Sequence, residues 1–278
     1  MRILLTGHKG QLGRALLARL EVDHIIRGID LPEEDITDRD AMVTLVRAFE
    51  PELIINSAAM THVDGCARDP ELAYRINGMG VQNLALSAAA IGAEMMQIST
   101  NEVFDGAAQA PYDEWAERQP INAYGRSKLA GEWYVQNLLT RFYVVRTAWL
   151  YAAEGKNFPH RILELAAERD RLQVVTDEVS NPTYVPDLVE ALVKLIDTHA
   201  YGNYHLVNEG GASRFDFARA LVGDSTTVEP ITSAAFNRES TPPPYAPLAN
   251  TAAAALNIRL RPWKEAVDAF IAEAGTRI

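Results

Sequence analysis

The chain opens with a short apolar run, Arg2 to Thr6, that stops at Gly7, and residues 14–20 follow with apolar positions at helical spacing. A short apolar run bounded by a turn predicts a buried parallel strand, and the 3.6-residue period predicts an amphipathic helix packed against it. The alternation repeats. Strands are expected at residues 24–29, 53–55, 94–98 and 142–146. Helices are expected at 39–49 (ended by Pro51), as one long stretch over 69–91, and from Tyr124 to about 139. Strands alternating with helices predict an α/β fold, a Rossmann-type doubly wound parallel sheet. Past residue 150 the alternation loosens. Helices are expected up to 168, over 187–198 and over 263–272, with strands at 174–175 and 203–207 and a stiff proline-rich segment at 242–247.

Composition narrows the class. With 278 residues the chain can bury a large core, and its net charge of -11 argues against a nucleic-acid partner or a polybasic membrane anchor. Cys66 is the single cysteine, so an intrachain disulfide is excluded and a reducing compartment is expected. The N-terminus enters a strand pattern without an apolar leader, and no apolar run reaches membrane-spanning length. These features predict a cytoplasmic protein with no membrane partner. A homodimer is one expectation for its assembly. His62 and Cys66 have no clustered histidine or second cysteine beside them, so no metal site is expected.

The chemistry lies at the strand ends. Gly7, Gly10 and Gly13, with Gln11 and Leu12 between them, form a glycine-rich turn between strand and helix. That arrangement brings backbone N–H groups and a helix N-terminus up to the pyrophosphate of a dinucleotide. Asp30, at the end of the second strand, can accept hydrogen bonds from the adenosine ribose, which favours NADH; Lys9 and Arg27 lie near enough in sequence to meet a 2′-phosphate, as NADPH requires. Asp35 and Ile36 are expected beside the adenine. Ala58, Ala59 and Thr61 follow the third strand, where small residues let the backbone pass close to a cofactor. Tyr124 and Lys128 are four apart, one turn on one helix face. An ammonium at that spacing is expected to lower the phenol's pKa and to ready it for proton exchange with an alcohol or ketone oxygen. Thr100, at the carboxyl end of a central strand, is the expected third group. Residues 1–150 are thus expected to be a dinucleotide-binding core. Residues 151–278 are expected to be mainly a substrate-binding part, discontinuous, with some segments returning to the core.

Together these motifs resemble the extended short-chain dehydrogenase/reductases, and most closely the dTDP-4-dehydrorhamnose reductase family. The resemblance rests on the glycine loop, Asn56-Ser57-Ala58-Ala59, Ser99-Thr100 to Phe104-Asp105-Gly106, and Tyr124-Gly125-x-x-Lys128-x-x-Gly131-Glu132. It rests further on Arg146 to Tyr151 and on Asn181 to Leu188. It implies hydride transfer from NADH or NADPH to the C4 ketone of a dTDP-6-deoxy-4-ketohexose, with the proton coming from Tyr124. Lys128 would tune Tyr124 and bind the nicotinamide ribose. Val63, Thr100, Asn101, Glu102, Tyr124, Trp149 and Asn157 would meet the nucleotide-sugar substrate. Two positions depart from the family pattern. Glu102 stands where the family has an aromatic ring, and related dehydratases use a glutamate there as a base. An arginine that contacts the diphosphate is replaced within Pro242-Pro243-Pro244, leaving Arg238, Arg259 or Arg261 as substitutes. The alternatives are therefore a nucleotide-sugar dehydratase or epimerase using Glu102, and a non-catalytic cofactor-binding protein like the regulatory subunit of methionine adenosyltransferase.

Overall fold

The computed structural model describes residues 1–235 and 238–275. In chain order its first part runs β1 (Arg2–Thr6), α1 (Gln11–Leu20), β2 (Ile25–Ile29), α2 (Arg39–Phe49), β3 (Leu53–Asn56), α3 (Val63–Arg68), α4 (Pro70–Tyr74), α5 (Val81–Ile91), β4 (Glu94–Thr100), α6 (Ala123–Leu138) and β5 (Phe142–Thr147). The rest runs β6 (Leu150–Tyr151), α7 (Phe158–Glu168), β7 (Arg171–Val175), β8 (Val179–Ser180), β9 (Thr183–Tyr184), α8 (Val185–Thr198), β10 (Gly202–His205), β11 (Ala212–Ser213), α9 (Arg214–Val222), β12 (Thr227–Ile231), α10 (Thr251–Ala255) and α11 (Trp263–Gly275).

Six parallel strands form the central sheet in the order β10-β5-β4-β3-β1-β2. The expected doubly wound parallel sheet is therefore present. Its strands are apolar on both faces because helices cover both. Leu12 and Leu16 of α1 pack with Leu188 and Leu192 of α8 on one face. Met42 and Val46 of α2 pack with Leu84 of α5 and Val135 of α6 on the other. The strand order reverses between β1 and β3, and open sheets of this kind bind ligands beyond the carboxyl ends at such a point. The register brings those ends level: Thr6 lies opposite Asn56, Asn56 opposite Gln97, and Thr100 opposite Thr147.

The second part has its own aromatic core of Tyr151, Phe217, Trp263 and Phe270. α8 and β10 return to the main sheet, and β10 pairs with β5.

Of the departures from the pattern-based expectation, two bear on the site. The single helix over 69–91 is divided: Asp69 caps α4 by accepting from Leu72 N at 2.9 Å, and a π-helical stretch, Arg75–Gly80, precedes α5. The widened turn brings the Asn77 carbonyl against α6, where a Cβ on Gly131 would run into it. Helix α9 escaped the periodicity reading because it is short and weakly amphipathic. Its start carries a capping box, in which Ser213 Oγ accepts from Asp216 N at 3.0 Å and the Asp216 carboxylate accepts from Ser213 N at 3.2 Å. The Ser-x-x-Asp spacing was the signal that would have found it.

Candidate active site

A cleft of about 970 Å³ crosses the carboxyl ends of the central strands, at the upper end of ligand-sized cavities (about 300–1,000 Å³). Its wall carries the expected cofactor residues Gly7, Gly10, Gln11, Leu12, Gly13, Asp30, Asp35, Ile36, Ala58, Ala59 and Thr61 at one end. Val63, Thr100, Asn101, Glu102, Tyr124, Lys128 and Trp149 line the rest. Asn157 is not on this wall. It caps α7 by accepting from His160 N at 3.3 Å, and its Nδ2 donates to Gln11 Oε1 at 3.2 Å, so it braces the glycine turn from behind.

Local structure positions each group. Gly7 sits at φ 71°, and a Cβ there would run into the Ala58 backbone. The close approach of β1 to the Ala58-Ala59 turn therefore requires glycine, and it leaves the turn open towards a dinucleotide. Asp30 Oδ2 accepts from Lys9 N at 2.9 Å and Oδ1 from Leu31 N at 2.8 Å, which fixes the carboxylate at the cleft rim. At the other end, Asn122 caps α6 by accepting from Gly125 N at 2.8 Å, and its Nδ2 donates to Glu102 Oε2 at 2.6 Å. The residue that starts the Tyr124 helix thus also holds Glu102. Asn77 donates to Ser127 Oγ at 2.9 Å and exchanges bonds with the Met60 backbone, joining the loop after β3 to α6. Asn101 Nδ2 donates to Ser180 Oγ at 3.0 Å and Ala246 O at 3.2 Å, so its amide braces the cleft floor.

The electrostatics correct one expectation. Burial and the Glu102 charge push the Tyr124 phenol above its ordinary value, although contact with the Thr100 hydroxyl acts in the opposite direction. The expected lowering by Lys128 is not what the structure shows. Lys128 Nζ donates to the Ile98 carbonyl at 2.6 Å, and burial draws its own pKa down to about 8. Burial also raises Glu102, with Asn122, Arg214 and Arg238 opposing that shift. Cys66 is a buried thiol raised to about 11 by burial and by Glu102. Among the described residues no cluster could hold a metal ion.

Beneath the cleft lies a buried ion pair. Arg146 Nε and Nη2 donate to the two Glu132 oxygens at 2.9 and 2.8 Å, and Ser99 Oγ donates to Glu132 Oε1 at 2.5 Å. Burial alone would raise Glu132, but Arg146, Ser99 and Arg118 outweigh it and hold the carboxyl below its ordinary value. This pair fixes Ser99, next to Thr100, against α6.

The family described as the RmlD substrate binding domain matches residues 1–276. The chain belongs to this family. With membership comes its class, the NAD(P)-dependent oxidoreductases. A curated family member, the dTDP-4-dehydrorhamnose reductase of Mycolicibacterium smegmatis, is 39% identical over 99% of this chain and 86% of its own length. The crystal structure of a dTDP-4-dehydrorhamnose reductase from Clostridium acetobutylicum superposes with a TM-score of 0.95 at 39% identity, covering 99% of this chain and 100% of that one. The Bacillus anthracis dTDP-4-dehydrorhamnose reductase, solved in complex with NADP, gives 0.94 at 36% identity, covering 98% and 99%.

The glycine turn, the Ala58-Ala59 turn and Asp30 in one cleft fit NADH or NADPH. Sequence reasoning missed the surroundings of Trp149. Arg214 stacks on its ring with Cζ 3.6 Å from the centroid, and Glu178 and Arg238 pair behind it at 3.0 Å. Of the proposed substitutes for the missing arginine, Arg261 is bound by Asp187 at 2.7 and 2.8 Å, whereas Arg238 lies in this cluster, paired with Glu178. Among the described residues no helix is long and apolar enough to cross a membrane.

Proposed function

We propose that this protein reduces the C4 ketone of a dTDP-6-deoxy-4-ketohexose, as in the conversion of dTDP-4-dehydrorhamnose to dTDP-rhamnose. The observation that carries the reading is the convergence of Thr100, Tyr124 and Lys128 on the same cleft wall as the glycine turn. A bound NADH or NADPH supplies the hydride. Thr100 presents its hydroxyl to the ketone oxygen and holds it beside Tyr124. Tyr124 donates its phenolic proton as charge develops on that oxygen. Its raised pKa keeps the donor protonated at neutral pH, so its ionised form must be stabilised when the complex assembles. Lys128, anchored to the Ile98 carbonyl, is the nearby cation on α6 suited to that and to the nicotinamide ribose. Val63 and Trp149 line the substrate side, and residues 151–278 supply most of the remaining substrate contacts.

Glu102 favours a second reading. A carboxyl with a raised pKa on the wall beside Thr100 suits a base that removes a proton next to the ketone, as in a dehydratase or epimerase. One assay separates the readings: the protein is mixed with NADH or NADPH and a dTDP-6-deoxy-4-ketohexose, and absorbance of the reduced cofactor is followed. Multi-turnover loss matched by reduced sugar is the outcome expected of the reductase. A changed sugar without net cofactor oxidation selects the Glu102 chemistry, and cofactor binding without any sugar change overturns both.

A further inference from the structure

Trp149, on the cleft wall, is covered by a residue of the C-terminal part. Arg214, the first residue of α9, lies over the Trp149 ring and 4.9 Å from the Phe158 centroid. Trp149 is held in a left-handed conformation, φ 42°, that side chains other than glycine seldom adopt. Glu178 stands behind the stack. Its Oε1 accepts from Arg238 Nη1 at 3.0 Å, while its Oε2 is 3.9 Å from Arg214 Nε, too long for a hydrogen bond. Arg238 has a second carboxylate, Asp64, at 3.9 Å. Arg238 is thus the better neutralised of the two cations.

Among the described residues the Arg214 guanidinium donates no hydrogen bond, although its side chain is only 23% exposed. Burial draws its pKa down to about 10, and it stays charged at neutral pH. A guanidinium offers five N–H donors in a fixed fork, and those of Arg214 are not sealed from solvent, so an incoming anion can reach them. The fork matches the oxygens of a phosphate. Glu102 acts electrostatically on both Tyr124 and Arg214. Tyr124 and the Trp149 ring beneath Arg214 lie on one cleft wall, so a single ligand can reach both.

We propose that Arg214 binds a phosphate of the substrate's nucleoside diphosphate and that Trp149 is the stacking surface beneath it. The proposal rests on the nucleotide-sugar reading above, and Arg214 takes the place of the arginine absent from Pro242-Pro243-Pro244.

The test titrates thymidine diphosphate and thymidine into the protein saturated with NADH, by calorimetry, for the wild type, Arg214→Met and Arg214→Lys. Arg214→Met is expected to weaken thymidine diphosphate about 10- to 100-fold and to leave thymidine and NADH binding unchanged. Arg214→Lys keeps the charge but loses the fork and is expected to fall between. Equal losses for thymidine and thymidine diphosphate show that Arg214 acts only through Trp149, and no loss shows that it does not touch the ligand; either overturns the proposal while the reductase assay still stands. A wild type that neither binds thymidine diphosphate nor reduces a dTDP-ketohexose overturns the nucleotide-sugar reading and this proposal together.

Discussion

At one end of the cleft, Gly7, Gly10, Gly13 and Asp30 come from a single βαβ unit and act mostly through backbone and one fixed carboxylate. At the other, Glu102 and Trp149 line the wall with Glu178, Arg214 and Arg238 grouped behind them; these come from separate segments of both parts of the chain and act through side chains. The first end is a local device that recurs wherever a dinucleotide must be held. The second is assembled by tertiary structure, and its charges are balanced against one another. Changes at the substrate end should therefore alter turnover or substrate affinity with little effect on cofactor binding, whereas damage beneath the sheet should reach both ends.

The largest expected effect sits between the two ends. Tyr124→Phe should lower kcat by about 10²- to 10⁴-fold, the usual contribution of a positioned acid, while NADH still binds in a fluorescence titration. A parallel loss of NADH binding would dissolve the distinction between the ends. Glu132→Gln comes next. It leaves Arg146 buried, with only 1% of its side chain exposed, and without its charged partner. A loss of about 3–5 kcal/mol is expected, read as a fall in the denaturation midpoint, and it should weaken cofactor and substrate binding alike.

The Lys128 ammonium gives the third test. Its pKa near 8 means that the cation is lost as pH rises, so kcat/KM for NADH should fall on the alkaline side with an apparent pKa of about 8. Folding lowers this pKa from 10.5, so between about 8 and 10.5 the folded protein binds fewer protons than the unfolded chain. This group therefore makes stability rise with pH across that window, and the activity loss cannot be blamed on its own destabilisation of the fold. The smallest effect is expected at the cofactor rim. Lys9 and Glu33 form an exposed pair, with side chains 47% and 62% exposed, so Lys9→Ala should leave the midpoint of chemical denaturation essentially unchanged.

The same contrast governs what could be read from the sequence. The strand–glycine–helix unit and Tyr124-x-x-x-Lys128 are contiguous, and periodicity and spacing are enough to place them. Glycine's lack of a Cβ is visible in the letters. The substrate end is different. Nothing near Arg214 in sequence points to Trp149, and the two meet only because α9 packs beside α7, which brings Phe158 to Phe217 as well. The split of the 69–91 helix was hidden for a related reason: its apolar pattern runs on, while the π-helical turn answers to the close approach of Gly131. The direction of the Tyr124 shift was also hidden, because Tyr-Lys spacing reports a neighbouring charge and not the burial that outweighs it.

The central claim is that hydride reaches C4 of the sugar while Tyr124 supplies the oxygen-bound proton. The most direct measurement uses NADH carrying deuterium at the transferred position, a dTDP-6-deoxy-4-ketohexose, and mass and NMR analysis of the product. The expected result is one deuterium, at C4, at a rate that collapses in Tyr124→Phe. A product without deuterium at C4, made in deuterated water with solvent deuterium at C5 above the protein-free control, would contradict it and place the chemistry on Glu102.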